Sequence, residues 1–158
     1  MGDNINSVGI LVRREIEALL AVPLVRGFME EFGREKALDI AGKVIRDLAL
    51  ESGRLLASPS GGNKMENLAK GVPLFSQGGA LKIDVLEASP IKISMNVPEC
   101  RYAEMYKEHG MEEFGCLLSC SRDFSLVEGF NPKIKLTRTQ TIMEGANYCD
   151  FRFNMEPE

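Results

Sequence analysis

Apolar residues recur every three or four positions in the first third of the chain and every second position beyond residue 80, so helices come first and strands later. Val8, Leu11, Val12, Ile16, Leu19 and Leu20 fall on one helical face, with Ser7 as the expected N-cap. Pro23 is expected to end or kink this element, and an apolar segment runs on to Phe32 and Gly33. A second stripe, Ala37, Ile40, Ala41, Val44, Ile45, Leu48 and Ala49, is continuous and stops at Ser52 and Gly53. Both stripes read as core-facing.

Residues 53–80 are rich in glycine and proline and read as a mobile loop over a site, with one short helix at MENLAK. Gly61–Gly62 lacks the following GK[ST] of a phosphate loop. Then the period becomes two. Leu81, Ile83 and Val85 alternate with Lys82 and Asp84, and Ile91, Ile93, Met95 and Val97 with Lys92, Ser94 and Asn96. The EASP connection between them is short enough for an antiparallel hairpin. A helical stretch near 100–119 carries Cys100, Tyr102, His109 and Cys116 and ends at Cys120; strands near 133–142 and 147–154 close the chain. The pattern predicts an α+β domain over residues 1–158, with N-terminal helices packed on an antiparallel sheet of about four strands built from two hairpins.

The last hairpin has a readable register. A turn at Glu144–Gly145 places Gln140 opposite Cys149, Arg138 opposite Phe151 and Leu136 opposite Phe153. One face then holds Ile134, Leu136, Arg138, Gln140, Cys149, Phe151 and Phe153, and the other Lys133, Lys135, Thr137, Thr139, Asp150 and Arg152. The first face is apolar at one end and polar at the turn end. A charge there must be paired or face a cavity, so Arg138, Gln140 and Cys149 mark a candidate pocket, and an Arg fork suits a ligand carboxylate. Two plainer readings stand beside this: Cys149 as core packing, and Arg138 paired with an internal acid such as Asp123 or Glu144.

Composition narrows the partners. The 158 residues have 44% hydrophobic and 27% charged side chains and a net charge of -4, an ordinary balance for a globular chain. That charge argues against nucleic acid or an anionic membrane as partner. No run is long and apolar enough for a membrane span, and Arg13, Arg14, Glu15 and Glu17 break any signal-peptide core, so the cytoplasm is expected. Exposed edges of so small a sheet are compatible with a homodimer.

Cys100, Cys116, Cys120 and Cys149 are expected as free thiols; their spacing lacks paired zinc knuckles, and neither metal nor cofactor is expected. Zinc would require Cys100, Cys120 and Cys149 to meet. His109, the single histidine, stands at a helix end and suits a surface or capping role. Asp123 follows Cys120 by one helical turn, so the two share a face, and it suits either substrate contact or helix capping.

The strings CRYAEMY at 100–106, LLSCSRDF, EGFNP at 128–132 and TRTQTIMEGANYCDFRF resemble the L-2-amino-thiazoline-4-carboxylic acid hydrolase family. The resemblance implies hydrolysis of a non-peptide C–N bond in a small cyclic amidine that carries a carboxylate, on a bacterial route to cysteine. It further implies Cys149 as nucleophile with Cys120 in reserve, and Asp123 or Asp150 holding the amidine nitrogens. Arg138 would hold the carboxylate, with Gln140 and Tyr102 among the substrate contacts. Direct attack by water is the other route. The competing reading is a non-enzymatic small-molecule-binding or sensor domain of the 4-vinyl-reductase type, which needs the pocket but no reactive thiol.

Overall fold

The computed structural model describes residues 7–156. Helix α1 (Ile10–Phe32) starts after Gly9 rather than after Ser7, and it continues through Pro23. Pro23 is exposed, so the carbonyl that loses its intrahelical partner is left where water can serve it. Gly33, with φ at 86°, makes the reversal into α2 (Arg34–Ala57). That positive φ is open to glycine at little cost.

Helix α2 also outruns its expected stop at Ser52–Gly53. Gly53 is a crossing point instead. A β-carbon built there would stand 2.0 Å from the Leu126 carbonyl oxygen of helix α6 (Arg122–Phe130), and one on Gly129 of α6 would stand 2.0 Å from the Leu50 oxygen. The two helices meet backbone to backbone, which no side chain at either glycine would permit.

Ala37 and Ala49 of the α2 stripe are buried as expected, and Leu11, Ala41 and Ile45 are half-buried against the core, but the buried residues of α1 are Ala18, Val22 and Val25, none of them in the predicted stripe. Most of the other stripe residues face outward. Ile16 is 61% exposed, Leu20 67%, Val44 53% and Leu48 53%. Periodicity identified an apolar face but could not say whether the same chain covers it.

The glycine-rich stretch holds a full helix, α3 (Met65–Phe75), where a loop with one short helix was expected. Asn67 closes its N-terminus by accepting from the Lys64 amide and donating to the Ser60 carbonyl. Strands β1 (Leu81–Ala88) and β2 (Lys92–Cys100) form the expected antiparallel hairpin, bulged twice along β1. The next helical region is broken into α4 (Arg101–Glu108), α5 (Glu112–Gly115) and a π-helical turn (Cys116–Cys120), which leads into α6. Strands β3 (Ile134–Thr137) and β4 (Cys149–Met155) complete the sheet, whose antiparallel order is β1–β2–β4–β3.

The last hairpin keeps its predicted register where it is laddered, with Leu136 opposite Phe153. The ladder stops at Thr137–Arg152, earlier than expected. Beyond it the Asp150 carboxylate accepts from the Thr139 and Gln140 amides, replacing strand pairing with side-chain bonds. Gln140 is therefore not paired with Cys149. The turn is wide, with a 3₁₀ segment (Ile142–Glu144) ended by Gly145 in the left-handed region, where a two-residue turn was expected.

Candidate active site

Between α3, α6, the N-terminal part of α1 and the inner face of the sheet lies a cavity of about 140 Å³. That is close to the size that holds a single benzene ring. Most of the wall is apolar: Leu68, Val72 and Phe75 from α3, Met95 and Val97 from β2, Phe151 and Phe153 from β4. The β-strand period places Cys149 beside them, because Val97 pairs with Cys149 and Met95 with Phe151.

The polar end is built by the π turn and α6. Cys120, Arg122 and Asp123 line the cavity there, together with Cys100, Cys149, Arg138 and Arg14. Arg138 donates from Nη1 to Asp123 Oδ2 at 2.5 Å and from Nη2 to the Cys120 carbonyl at 2.9 Å. Its guanidinium lies 5.0 Å from the centres of both the Phe124 and Phe151 rings. Its side chain is 5% exposed, so the pairing, the carbonyl and the two ring faces replace the water it has lost. Burial opposes its charge, but Asp123 outweighs burial and raises the Arg138 pKa.

Asp123 shows the opposite balance. Burial pushes its carboxyl above the ordinary value, and Arg138, Arg122 and Arg14 only partly offset that. Its side chain is 37% accessible, yet Asp123 lines the inner cavity and not the groove outside it. The accessible surface therefore faces the cavity rather than bulk solvent, which reconciles the exposure with the desolvation.

Cys100, Cys120 and Cys149 all face this one cavity. Burial is the leading cause that raises each thiol, Cys100 to about 11. For Cys149 the amide of Ile142, donating to Sγ at 3.3 Å, and the Arg138 charge pull the other way without prevailing. The resting thiols are therefore protonated at neutral pH. All four cysteines are free. Among the described residues no group of three or more Cys, His, Asp or Glu is placed to hold a metal, so the shared cavity does not amount to a zinc site.

The remaining predicted residues are spread more widely. Tyr102 lines the cavity with its ring and donates its hydroxyl to the Phe75 carbonyl at 3.0 Å; burial lifts its pKa to about 12. Gln140 stands in an open groove outside, with Cys116, Phe124 and Thr141, and donates to the Tyr148 carbonyl. Asp150 caps the end of the hairpin. Partial burial would raise its pKa, but hydrogen bonds from the Thr139 hydroxyl and the Gln140 and Thr139 amides hold it below the usual range. His109 forms an exposed pair with Glu15 and takes no part in the cavity. Arg14 and Arg122 were not singled out from the sequence. Their signal was a charge set into an apolar helix and a second cation beside Asp123.

Residues 13–153 match the protein family described as L-2-amino-thiazoline-4-carboxylic acid hydrolase. The chain belongs to this family. No curated protein matches it. Among solved structures, this thiazoline-carboxylate hydrolase family member is similar to the phenol-responsive sensory domain of the transcription activator PoxR with phenol, at 13% identity and a TM-score of 0.54, covering 84% of this chain and 71% of that one. It is also similar to a trafficking protein particle complex subunit 3 from Naegleria fowleri covalently bound to palmitic acid, at 11% identity and a TM-score of 0.54, covering 92% of this chain and 96% of that one. At such identities the likeness is one of fold. No described helix of the family member is long and apolar enough to cross a membrane.

Proposed function

We propose that the protein hydrolyses a small cyclic amidine bearing a carboxylate, inside the cavity and at its thiol-lined end. The observation that carries this reading is the convergence of Cys149, Cys120 and Asp123 on one cavity of single-ring size, in a chain of this family. The amidine-like carbon needs a nucleophile, and either the Cys149 thiol or a water beside it must give up a proton on attack. Asp123 is the acceptor, and it returns the proton to the ring nitrogen as the C–N bond to that nitrogen breaks; on the thiol route a water then adds to the same carbon and displaces the Cys149 sulfur, which leaves a carbamoyl product. Desolvation raises the Asp123 pKa, the direction that suits a general base. Arg138 keeps Asp123 oriented and offers positive charge to a developing thiolate. The four free cysteines suit the reducing cytoplasm.

Turnover of 2-amino-thiazoline-4-carboxylate, followed as loss of the ring, tests this directly. Wild type is expected to turn over, with Cys149→Ser and Asp123→Asn reduced by at least about a hundredfold, the usual range for removing a proton-transfer group or nucleophile. Equal rates in wild type and Cys149→Ser would leave attack to water, with Cys149 only binding.

A second reading is a non-enzymatic small-molecule receptor. It is favoured by the apolar wall and by thiols that burial keeps protonated. Binding of a small ring compound such as phenol without turnover of the thiazoline carboxylate would select it.

A further inference from the structure

Arg14 of α1 and Arg122 of α6 both line the cavity, and they share a single carboxylate. Glu17 touches Arg14 directly and lies 3.7 Å from Arg122. The Glu17 side chain is 51% exposed, whereas those of Arg14 and Arg122 are 18% and 11% exposed. The third cation of this end, Arg138, is committed to Asp123 and the Cys120 carbonyl. Three guanidiniums thus face two carboxylates, and one positive charge is left over in a largely dry place. Burial and the neighbouring Arg14 both pull the Arg122 pKa below its ordinary value, which marks two like charges held close together. An anion supplied from the cavity side would relieve that repulsion and fill the donors that the solvent-side Glu17 does not reach.

We propose that the ligand's carboxylate is bound by Arg14 and Arg122, not by Arg138. The ligand class is then a monoanion with a compact apolar ring, its charge at the α1–α6 end and its body against Val72, Phe75 and Val97. This rests on the cavity being the substrate site and adds the residues that select for charge.

Calorimetric titration with two acid–amide pairs tests it: 2-amino-thiazoline-4-carboxylate against its carboxamide, and benzoate against benzamide. Wild type should favour at least one acid over its amide. Arg122→Gln and Arg14→Gln should each weaken that acid by roughly tenfold or more and leave the amide unchanged, and Arg→Lys should restore part of the loss. The proposal is wrong if wild type prefers neither acid. It is equally wrong if the Gln variants bind the acid like wild type or weaken acid and amide alike. The hydrolase reading fails separately. Charge-selective binding without turnover would sink that reading and leave the arginine site standing, whereas unchanged KM in both Gln variants would do the reverse.

Discussion

Arg138 and Asp123 hold each other across the boundary between two spaces: Arg138 lines both the inner cavity and the outer groove, and Asp123 lines the cavity alone. The pair is a wall as well as an ion pair. Replacing Arg138 by Leu leaves the Asp123 carboxylate facing an apolar space without its main partner, and stability should fall by about 3 kcal/mol, as for removing one member of a buried pair. The double change Arg138→Leu with Asp123→Leu should recover most of that loss. Urea denaturation of the three variants checks it, and a double variant no better than the single would deny the pairing its structural role.

At the α2–α6 crossing the helical preference and the packing disagree. Alanine in a helix interior normally gains about 1 kcal/mol over glycine. Gly53→Ala and Gly129→Ala should nevertheless destabilise, by about 2 kcal/mol or more, because each β-carbon would meet a backbone carbonyl at 2.0 Å that cannot move without parting the helices. Thermal melts suffice; an increase in Tm for either variant would contradict the close approach.

Cys100 gives a pH dependence of known sign. Burial lifts its thiol from 9.0 to about 11. Because the folded value lies above the unfolded one, the contribution of the neutral thiol is complete below pH 9.0 and lost as pH rises towards about 11. Denaturation midpoints measured across that window should decline less steeply in Cys100→Ala than in wild type.

Asp150 works in the other direction. Its folded pKa lies below the ordinary 3.8, so its contribution is present above that value and disappears as pH falls through the lower, folded one. Asp150→Ala should cost about 1–2 kcal/mol near neutrality by freeing two amides and a hydroxyl. The difference from wild type should shrink in strong acid.

Native thiols should also resist iodoacetamide at neutral pH. Cys149 is buried, Cys120 is half-buried, both are protonated there, and only thiolate reacts appreciably. Rapid labelling of Cys149 near pH 7, mapped by mass spectrometry, would show that the thiol is activated despite its burial.

How much of this was legible in the sequence depended on whether the deciding contact was local. The register placing Leu136 opposite Phe153 followed from alternation and one glycine, both short-range. The same alternation failed three residues later, because a side chain, Asp150, took over the amides of Thr139 and Gln140. Pro23 and Gly53 read as helix stops by their intrinsic preference. Each lies inside a helix because tertiary context overrides that preference, by solvent at Pro23 and by the α6 backbone at Gly53. Arg14 and Arg122 are far apart in sequence, and nothing local brings them to one cavity. Asp123 and Cys120 were legible as neighbours because a single helical turn separates them, whereas the commitment of Arg138 to Asp123 was one of two readings until the fold chose.

The π turn at Cys116–Cys120 carries a further consequence. It is closed by the Ser121 amide reaching back to the Cys116 carbonyl at 2.8 Å, one residue further than an α-helix would span. A turn of that kind amounts to a single inserted residue, and it advances the phase of all that follows by about a hundred degrees of rotation. Cys116 consequently looks onto the outer groove while Arg122 and Asp123 look into the cavity. The orientation of the polar end is thus set by chain length as much as by residue identity: a variant lacking one residue of CLLSC would keep both charges and aim them elsewhere.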